Sequence, residues 1–352
     1  MGRAGRVNAP VTSTGELTCP ARQKNGFSSR VNNMSVCLVT GGAGFIGSHL
    51  VEALVERGET VRVLDNFSTG DRANLERVRD RVRILDGDIT DLEMVRTAMK
   101  GVDLVFHQAA LASVPRSIAN PLATHHACVT GTLHVLWAAR EAGVRRVVYA
   151  ASSSAYGGSR KLPKQEDDPT LPLSPYAVAK LAGEHYCAAF AEVYGLETVR
   201  LRYFNVFGPR QSPSSPYAAV IPKFIEAMTS GRRPLIHGDG NQSRDFTFVA
   251  DVVQANLLAS QAPGVHGKVY NIACGRRTSL LELVQHLNTL LGTDLQPEHA
   301  EARPGDVRHS LASIEEARND LEYEPTTDIV TGLRHCLKWW RQQHPVTAPV
   351  AV

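Results

Sequence analysis

A tyrosine and a lysine stand four positions apart in the segment Ser174-Pro175-Tyr176-Ala-Val-Ala-Lys180. Proline suits the first turn of a helix, where its missing N–H costs no hydrogen bond, so we predict a helix over Tyr176 to Tyr194. Residues one helical turn apart share a face. A free phenol has a pKa of about 10, and a nearby ammonium favours the phenolate. Tyr176 is therefore a candidate general base, although an unrelated tyrosine and lysine on a helix surface would share this spacing.

A serine-rich segment follows an apolar run that predicts a strand over Val144 to Ala150. Residues 150–157 of this segment read AASSSAYG. When helices cover both faces of a parallel sheet, ligands bind beyond the carboxyl ends of its strands. We therefore expect the serines to point into a binding crevice, where Ser152 would hold a reacting hydroxyl group by a hydrogen bond.

Glycines spaced three apart occur in the stretch TGGAGFIG at residues 40–47. This stretch follows a predicted strand over Val36 to Thr40 and precedes a predicted helix over Ser48 to Arg57. Asp65 ends the next predicted strand, eighteen residues after Gly47. This context is typical of a dinucleotide site, in which backbone N–H groups and the helix N-terminus bind a pyrophosphate. Asp65 would accept hydrogen bonds from the adenosine ribose and repel a 2′-phosphate, so we expect NAD rather than NADP.

Predicted strands and helices alternate in the first two thirds of the chain. The strands are Val36 to Thr40, Thr60 to Leu64, Val82 to Leu85, Asp103 to Phe106, Val144 to Ala150 and Thr198 to Tyr203, and the helices are Ser48 to Arg57, Leu92 to Met99, Pro121 to Glu141 and Tyr176 to Tyr194. This alternation predicts an α/β fold of the Rossmann type, with a doubly wound parallel sheet. Asp88, which follows the third strand, is placed to meet an adenine edge.

The pattern becomes irregular after Val206 and predicts a smaller C-terminal α/β lobe that binds the substrate. Its predicted helices are Ile221 to Met228, Val249 to Ser260, Leu280 to Leu290 and Ile329 to Trp340. We expect a nucleotide-binding domain at residues 34–205 with a returning segment near 245–262, the smaller lobe at 206–341 and a tail at 342–352. Residues 1–33, which are rich in arginine and contain one acid, predict a disordered leader or, alternatively, an organellar transit peptide.

The composition of the 352 residues excludes several classes of protein. Lys plus Arg total 38 against 35 acids, a balance that is unlike the basic stripe of a nucleic-acid binder. No apolar run is long enough to cross a membrane, and the six cysteines form no C-x-x-C pair. We therefore predict a protein of the reducing cytoplasm, with neither a structural zinc site nor a disulfide framework.

Several segments together resemble the extended short-chain dehydrogenase/reductase family. They are Thr40 to Gly47, His107-Gln-Ala-Ala110, the serine-rich strand end and Tyr176-x-x-x-Lys180. Within that family the chain is most similar to the nucleotide-sugar 4-epimerases, and above all to the UDP-N-acetylglucosamine 4-epimerases. Supporting segments are Ala112 to Ser117, Leu201 to Gly208, Tyr217 to Pro222, Gly238 to Phe246 and Arg303 to Ser310. The resemblance extends from Met34 to about Arg341.

The resemblance implies a catalytic set and two sets of binding residues. The catalytic residues are Tyr176, Lys180 and Ser152. The residues implied around NAD are Gly41, Gly44, Phe45, Ile46, Gly47, Asp65, Asn66, Ser68, Gly70, Asp88, Ile89, Ala109, Ala110, Tyr176 and Lys180. Those implied around a UDP-sugar are Ser152, Ser153, Ser154, Asn205, Ala219, Val220, Arg244, Arg303, Asp306 and Ser310. Among the latter, Asn205, Arg244 and Arg303 would contact the diphosphate, Ala219 and Val220 the uracil, and Asp306 the uridine ribose.

The reaction implied by the resemblance is epimerisation through a 4-keto sugar. Tyr176 would remove the proton of the sugar 4-hydroxyl while a hydride moves to tightly held NAD, and the hydride would return to the opposite face of the sugar. The family also implies a homodimer in which the helices His125 to Glu141 and Tyr176 to Tyr194 pair with their copies. A stripe of Leu133, Leu136 and Trp137 is compatible with that pairing but could equally be buried within one chain.

Two serines bear on the substrate. Ser154 stands where the related dehydratases and decarboxylases carry an acid, which argues against both reactions. Ser310 stands where a large tyrosine is typical of the plain-glucose enzymes, so the resemblance implies room for an N-acetyl group. UDP-glucose and UDP-glucuronate remain alternative substrates.

One residue departs from the family pattern on the helix near the expected active site. Cys128 stands where the family usually has asparagine, and it favours the rival interpretation of a non-catalytic NAD-binding regulator. His125 and His126 precede it, and we interpret them as surface or interface residues rather than metal ligands.

Overall fold

A sheet of seven parallel strands forms the centre of the computed structural model, which describes residues 34–213, 219–302 and 307–344. The described residues form thirteen strands, seven of them in this sheet: β1 (Val36–Thr40), β2 (Thr60–Asp65), β3 (Val82–Asp86), β4 (Leu104–His107), β5 (Arg146–Ser152), β6 (Glu197–Tyr203), β7 (Val206–Phe207), β8 (Leu235–His237), β9 (Ser243–Arg244), β10 (Thr247–Phe248), β11 (Val269–Ile272), β12 (Thr278–Ser279) and β13 (Glu298–Ala300). The predictions for residues 1–33, for most of the tail, and for Arg303 and Asp306 lie outside the described residues.

The order of the strands is that of a doubly wound sheet. It runs β3-β2-β1-β4-β5-β6-β11, and every neighbouring pair is parallel. The first six strands have the order of a dinucleotide-binding sheet, in which the direction of winding reverses between β1 and β4. The predicted fold class is therefore confirmed. The shorter strands pair as β7 with β10, β9 with β12 and β8 with β13.

The predicted helices are present, but most of them begin or end at residues other than those predicted. They are α1 (Phe45–Glu56), α2 (Leu92–Met99), α3 (Val114–Ala119), α4 (Pro121–His125), α5 (Gly131–Glu141), α6 (Pro175–Tyr194), α7 (Val220–Thr229), α8 (Val249–Gln261), α9 (Leu280–Leu291), α10 (Glu315–Leu321) and α11 (Ile329–Gln343). Helix α2 has the predicted bounds. Helix α1 begins three residues early, because Gly44 is its N-cap. Strand β5 begins late, because the Val144 N–H still bonds the Ala139 carbonyl in the turn that ends α5.

The prediction of one continuous helix over Pro121 to Glu141 is wrong. A π-helical turn, His126–Thr130, separates α4 from α5, and in it the Gly131 N–H bonds the His126 carbonyl five residues back. The Thr132 hydroxyl donates to the Cys128 carbonyl at 2.6 Å and so satisfies a backbone group of the widened turn. Such turns are frequent at functional sites.

Helices cover both faces of the sheet. Helices α1 and α8 pack on one face, with Val252 of α8 fully buried there, and α2, α5 and α6 pack on the other, with Leu136 fully buried. A third cluster joins α7, α9 and α11 around Phe224 and Leu333. None of the helices in the described ranges is long and apolar enough to cross a membrane.

A buried histidine connects the sheet to the π-helical turn. Only 1% of the surface of His107 is exposed; its Nδ1 lies 2.7 Å from Thr40 Oγ1 and its Nε2 lies 3.0 Å from Thr132 Oγ1. Because the Thr132 hydroxyl gives its proton to the Cys128 carbonyl, it accepts from Nε2, and Nδ1 accepts from Thr40. Burial, with a smaller effect of Lys180, lowers the pKa of His107 to about 3. The imidazole is therefore neutral at physiological pH.

We expect His107 to make the folded state less stable as the pH falls. The unfolded chain takes up a proton at this residue near pH 6.5 and the folded chain only near pH 3. Between these values the free energy of unfolding decreases by up to about 1.4 kcal/mol per pH unit. In urea unfolding at pH 7, 6 and 5, the free energy of unfolding should decrease less with falling pH for His107→Gln than for wild type. A free-energy difference between wild type and variant that stays constant from pH 7 to pH 5 would contradict this.

Candidate active site

The glycine loop brings three pieces of backbone into close contact. Gly41 has a φ of +68°, and a Cβ added there would lie 2.6 Å from the Ala109 nitrogen. A Cβ on Gly47 would lie 2.1 Å from the Gly41 carbonyl oxygen. Helix α1 then begins at Phe45 behind Gly44, which offers no capping side chain. The first-turn N–H groups of Phe45 and its neighbours are thus available to an anion, as the diphosphate of NAD requires.

Asp65 holds the cofactor loops in place. Its side chain is 7% exposed, its Oδ2 accepts the Ala43 N–H at 2.9 Å, and its Oδ1 accepts the Phe67 N–H at 2.8 Å. A carboxylate has about four acceptor positions, so lone pairs remain for the hydroxyls of a ribose. Asp65 therefore both shapes the loop and suits the role predicted for it.

The other residues predicted around NAD lie close to this loop or to the π-helical turn. Asn66 donates to the Asp88 carboxylate at 2.6 Å, and its own Oδ1 accepts the Ser68 N–H. Gly70 packs against Ala43, where a Cβ would lie 3.0 Å from a backbone carbon. Ile89 packs against the start of α5, and Ala110 packs beside Cys128.

The three predicted catalytic residues meet at the carboxyl end of β5. The side chain of Ser152 lies near the Tyr176 phenol and interacts with it. The Ser152 oxygen also accepts from the Ser154 N–H at 3.2 Å and lies 2.8 Å from the Ser154 hydroxyl oxygen. One turn along α6, the Lys180 ammonium is 3% exposed and donates to the Ala150 carbonyl at 2.7 Å.

The chain alone does not lower the pKa of Tyr176. Burial, and secondarily Cys128, raise the pKa of this phenol above its ordinary range, while the interaction with Ser152 opposes that effect. Burial likewise lowers the pKa of Lys180. The predicted lowering by a neighbouring ammonium is therefore not seen, because Lys180 is directed at a carbonyl and desolvation dominates.

A cavity of about 510 Å³ is lined by Asn205, which follows β6, and by residues of α7, β8 and β9. Tyr176, Ser152 and Lys180 do not line it. Four of the predicted substrate residues line it: Asn205, Ala219, Val220 and Arg244. Polar side chains that the sequence analysis did not identify also line it, among them Gln211, Lys223 and His237. The Arg244 guanidinium donates to the Ser243 and Arg308 carbonyls, which fix its position at the wall. A cavity of this volume suits a nucleotide-sized ligand.

Ser310 is tied to the wall of the cavity. Its hydroxyl oxygen accepts from Asn205 Nδ2 at 2.9 Å and from the Asp245 N–H at 3.3 Å. Asn205 follows β6 at the edge where Tyr203 is in register with Ser152. A β-bridge between Lys164 and Ala312 holds the Ser310 segment beside the loop that follows the serines. The structure thus brings Ser310 to the catalytic edge of the sheet.

Cys128 lies in the π-helical turn and packs against Ala179 of α6. It is 1% exposed, and its carbonyl is held by the Thr132 hydroxyl. The turn therefore forms without an asparagine amide. Among the described residues, no group of three or more His, Cys, Asp or Glu side chains is placed to hold a metal ion.

Comparison with known proteins decides the family. A model described as the NAD dependent epimerase/dehydratase family matches residues 37–273. The chain belongs to this family. It is accordingly an NAD-dependent enzyme, and the glycine loop, Asp65 and the free first turn of α1 fit that cofactor.

Relatives match the chain over most of their length. The UDP-glucose 4-epimerase of Mycolicibacterium smegmatis is 37% identical over 310 residues, which are 87% of this chain and 98% of the relative. A structure of a UDP-N-acetylglucosamine 4-epimerase from Methanobrevibacter ruminantium, in complex with UDP-N-acetylmuramic acid, is 39% identical with a TM-score of 0.85, covering 89% of this chain and 100% of that one. A structure of the UDP-glucose 4-epimerase of Thermus thermophilus in complex with NAD is 35% identical with a TM-score of 0.80, covering 87% and 99%. Members of the epimerase/dehydratase family that act on different UDP-sugars are thus similarly close.

We expect Gly47→Ala to abolish NAD binding. The added methyl group would lie 2.1 Å from a backbone oxygen, so either the loop or the start of α1 must shift. NAD content after purification, read from the absorbance of the denatured protein, measures the loss. Gly158→Ala is a matched control, because the nearest atom to its added carbon is 3.6 Å away. Equal NAD content in the two variants would contradict the role of the loop.

Proposed function

We propose that this enzyme interconverts UDP-N-acetylglucosamine and UDP-N-acetylgalactosamine by epimerisation at C4 of the sugar. The observation that carries the proposal is the meeting of Tyr176, Ser152 and Lys180 at one edge of the sheet. Asn205, which follows the neighbouring strand β6, lines a cavity together with Arg244. Relatives that act on UDP-sugars as 4-epimerases support the reaction type.

The residues of the chain account for the proton and for the position of the sugar. When bound, NAD supplies the carbon that accepts and returns a hydride, and in its oxidised form a positive charge that favours a phenolate. Tyr176 takes the proton of the 4-hydroxyl, and Ser152 holds that hydroxyl by a hydrogen bond. The 4-keto sugar then turns about its diphosphate link, and Tyr176 gives a proton back as the opposite face is reduced. Lys180 holds this end of the site together, since its ammonium donates to the Ala150 carbonyl of β5.

The nucleotide end of the substrate is held by the walls of the cavity. Arg244 would pair with the diphosphate in a charge-assisted contact, and Asn205 would lie beside it. Ala219 and Val220 offer an apolar surface for the uracil. From the sequence resemblance we add Arg303 as a further contact of the diphosphate and Asp306 as a contact of the uridine ribose.

Two serines support the choice of reaction and sugar. Ser154 bonds to Ser152 where a dehydratase or decarboxylase needs an additional acid, so a second proton donor is missing there. Ser310, which is bonded to Asn205, is small, and the sequence resemblance associates a small residue at this position with room for an N-acetyl group. UDP-glucose and UDP-glucuronate are the alternative substrates. A non-catalytic regulator would not need Tyr176 and Ser152 to lie next to each other.

Turnover of four sugar nucleotides by the NAD-loaded protein tests the proposal. We expect the two N-acetylated UDP-hexosamines to be interconverted faster than UDP-glucose or UDP-glucuronate. Tyr176→Phe should reduce kcat at least about 100-fold, because the general base is lost, while NAD stays bound. Absence of turnover with either acetylated sugar would refute the assignment, and unchanged activity of Tyr176→Phe would refute the base.

Substitution of Ser310 separates the space it leaves from its hydrogen bonds. Ser310→Tyr should fill the pocket and abolish turnover of the acetylated sugars more than that of UDP-glucose. Ser310→Ala keeps the space and removes only the hydroxyl that accepts from Asn205. If Ser310→Ala changed the ratio of the two activities as much as Ser310→Tyr does, size would not be the determinant.

We also propose a homodimer, which would form through a surface other than the stripe of Leu133, Leu136 and Trp137. Leu136 is fully buried within one chain, whereas α6 exposes Val178, Tyr186 and Val193 by 53%, 36% and 69%, and Leu122 of α4 is 81% exposed. These α6 residues lie along one face of that helix, and apolar patches of this kind typically mark interfaces. A second copy of the chain presents the same patch to them about a two-fold axis.

Two charges on that face should separate the protomers. Val178→Glu with Val193→Glu would place carboxylates in an apolar contact, so light scattering after gel filtration should report a monomer. Leu281→Glu alters a leucine of α9 that is 38% exposed and serves as the matched control. A dimer that persists in the double variant, or a monomeric wild type, would overturn the proposed interface.

The cysteines support a reducing compartment such as the cytoplasm. Those in the described part of the chain are free thiols: Cys37, Cys128, Cys187, Cys274 and Cys336. Burial raises the pKa of Cys37, Cys187, Cys274 and Cys336 to about 12. Such thiols are inert and packed as small apolar groups.

A further inference from the structure

A buried ion pair lies one turn beyond the catalytic residues of α6. Tyr176, Lys180 and Glu184 follow one another at intervals of four and therefore share a face of the helix. The side chain of Glu184 is 1% exposed and that of Arg202, on β6, is 6% exposed. Arg202 Nε lies 3.1 Å from both carboxylate oxygens, and Nη2 lies 2.9 Å from one of them. This forked contact fixes the rotation of α6 about its own axis.

The same guanidinium contacts the turn that follows Ser152. Its Nη1 donates to the Tyr156 hydroxyl at 2.8 Å and to the Glu166 carbonyl at 3.1 Å. Arg202 Cζ also lies 4.7 Å from the centre of the Tyr156 ring. Tyr156 ends the short 3₁₀ helix Ser153–Tyr156, for which Ser152 is the N-cap, and its hydroxyl donates to Asn271 Oδ1 at 2.7 Å.

One side chain thus bonds the two elements that carry Tyr176 and Ser152. Glu184 belongs to the helix of Tyr176, and Tyr156 belongs to the turn of Ser152. Arg202 is itself fixed by the sheet, where it is in register with Ala151. A misplacement of about 1 Å between reacting groups can cost about 100-fold in rate.

We propose that Arg202 is a positioning residue that holds the side chains of Tyr176 and Ser152 next to each other, through Glu184 on one side and Tyr156 on the other. This inference rests on the proposed function, since it assigns Arg202 to the same centre. Its side chain is too deeply buried to meet the substrate, so its effect on the reaction passes through the two elements it joins.

Variants that weaken one part of the network at a time test the role. Tyr156→Phe removes the hydroxyl that accepts from Arg202 and donates to Asn271, and Arg202→Lys keeps the charge but loses the fork. Both should lower kcat at least about 10-fold, with little change in the KM for the UDP-sugar or in NAD content, because Arg202, Glu184 and Tyr156 are buried. Crystal structures should show the oxygens of Ser152 and Tyr176 further apart than in wild type.

A matched control separates positioning from general loss of stability. Tyr270→Phe removes another buried hydroxyl bonded to a charged group, Asp320, away from the catalytic edge. It should leave kcat within about twofold of wild type. The proposal is overturned if Tyr156→Phe keeps both kcat and the oxygen separation of wild type, or if Tyr270→Phe lowers kcat equally. If wild type turns over no UDP-sugar, the proposed function fails, and the oxygen separation still decides the role of Arg202.

Discussion

Every candidate group of the site depends on the parallel register of the sheet. Since neighbouring strands run the same way, the loops that follow β1, β4, β5 and β6 all emerge at one edge. His107 is opposite both Thr40 and Tyr149, and Ser152 is opposite Tyr203. A shift of a single strand would move Ser152 away from Tyr176 and the glycine loop away from β4. The pairing of the strands thus determines where the side chains of the candidate site lie.

The parts that were predictable from the sequence are those with a local physical cause. The glycine loop and Asp65 follow from what a tight strand–turn–helix requires, and α2 has its expected bounds because Asp91 caps its start. The pairing of Tyr176 with Lys180 is a matter of helical spacing. These features depend on residues close together in the chain, where propensity and spacing are informative.

Features that depend on distant residues were not predictable. The sequence does not mark the π-helical turn. The role of Thr132 is apparent only in the structure, where its hydroxyl donates to the Cys128 carbonyl. The spacing of four between Tyr176, Lys180 and Glu184 can be read from the sequence. The pairing of Glu184 with Arg202 cannot, because a buried ion pair depends on the packing of α6 on β6. Leu136 likewise belonged to an apolar stripe whose burial only the fold could decide. Room at Ser310 was inferred from its size, whereas its bonds to Asn205 required the tertiary structure.

The double task of Asp65 limits how this scaffold can be redesigned. Its two oxygens each fasten a different backbone N–H of the loops beside the cofactor, at Ala43 and Phe67. Exchange of the carboxylate for a neutral or basic side chain, the obvious route to a phosphorylated cofactor, would leave both donors without their acceptor. An engineer who wishes to switch cofactors therefore has to supply replacement acceptors for the two loops at the same time as the new charge, so single-residue libraries at this position should contain few well-folded members.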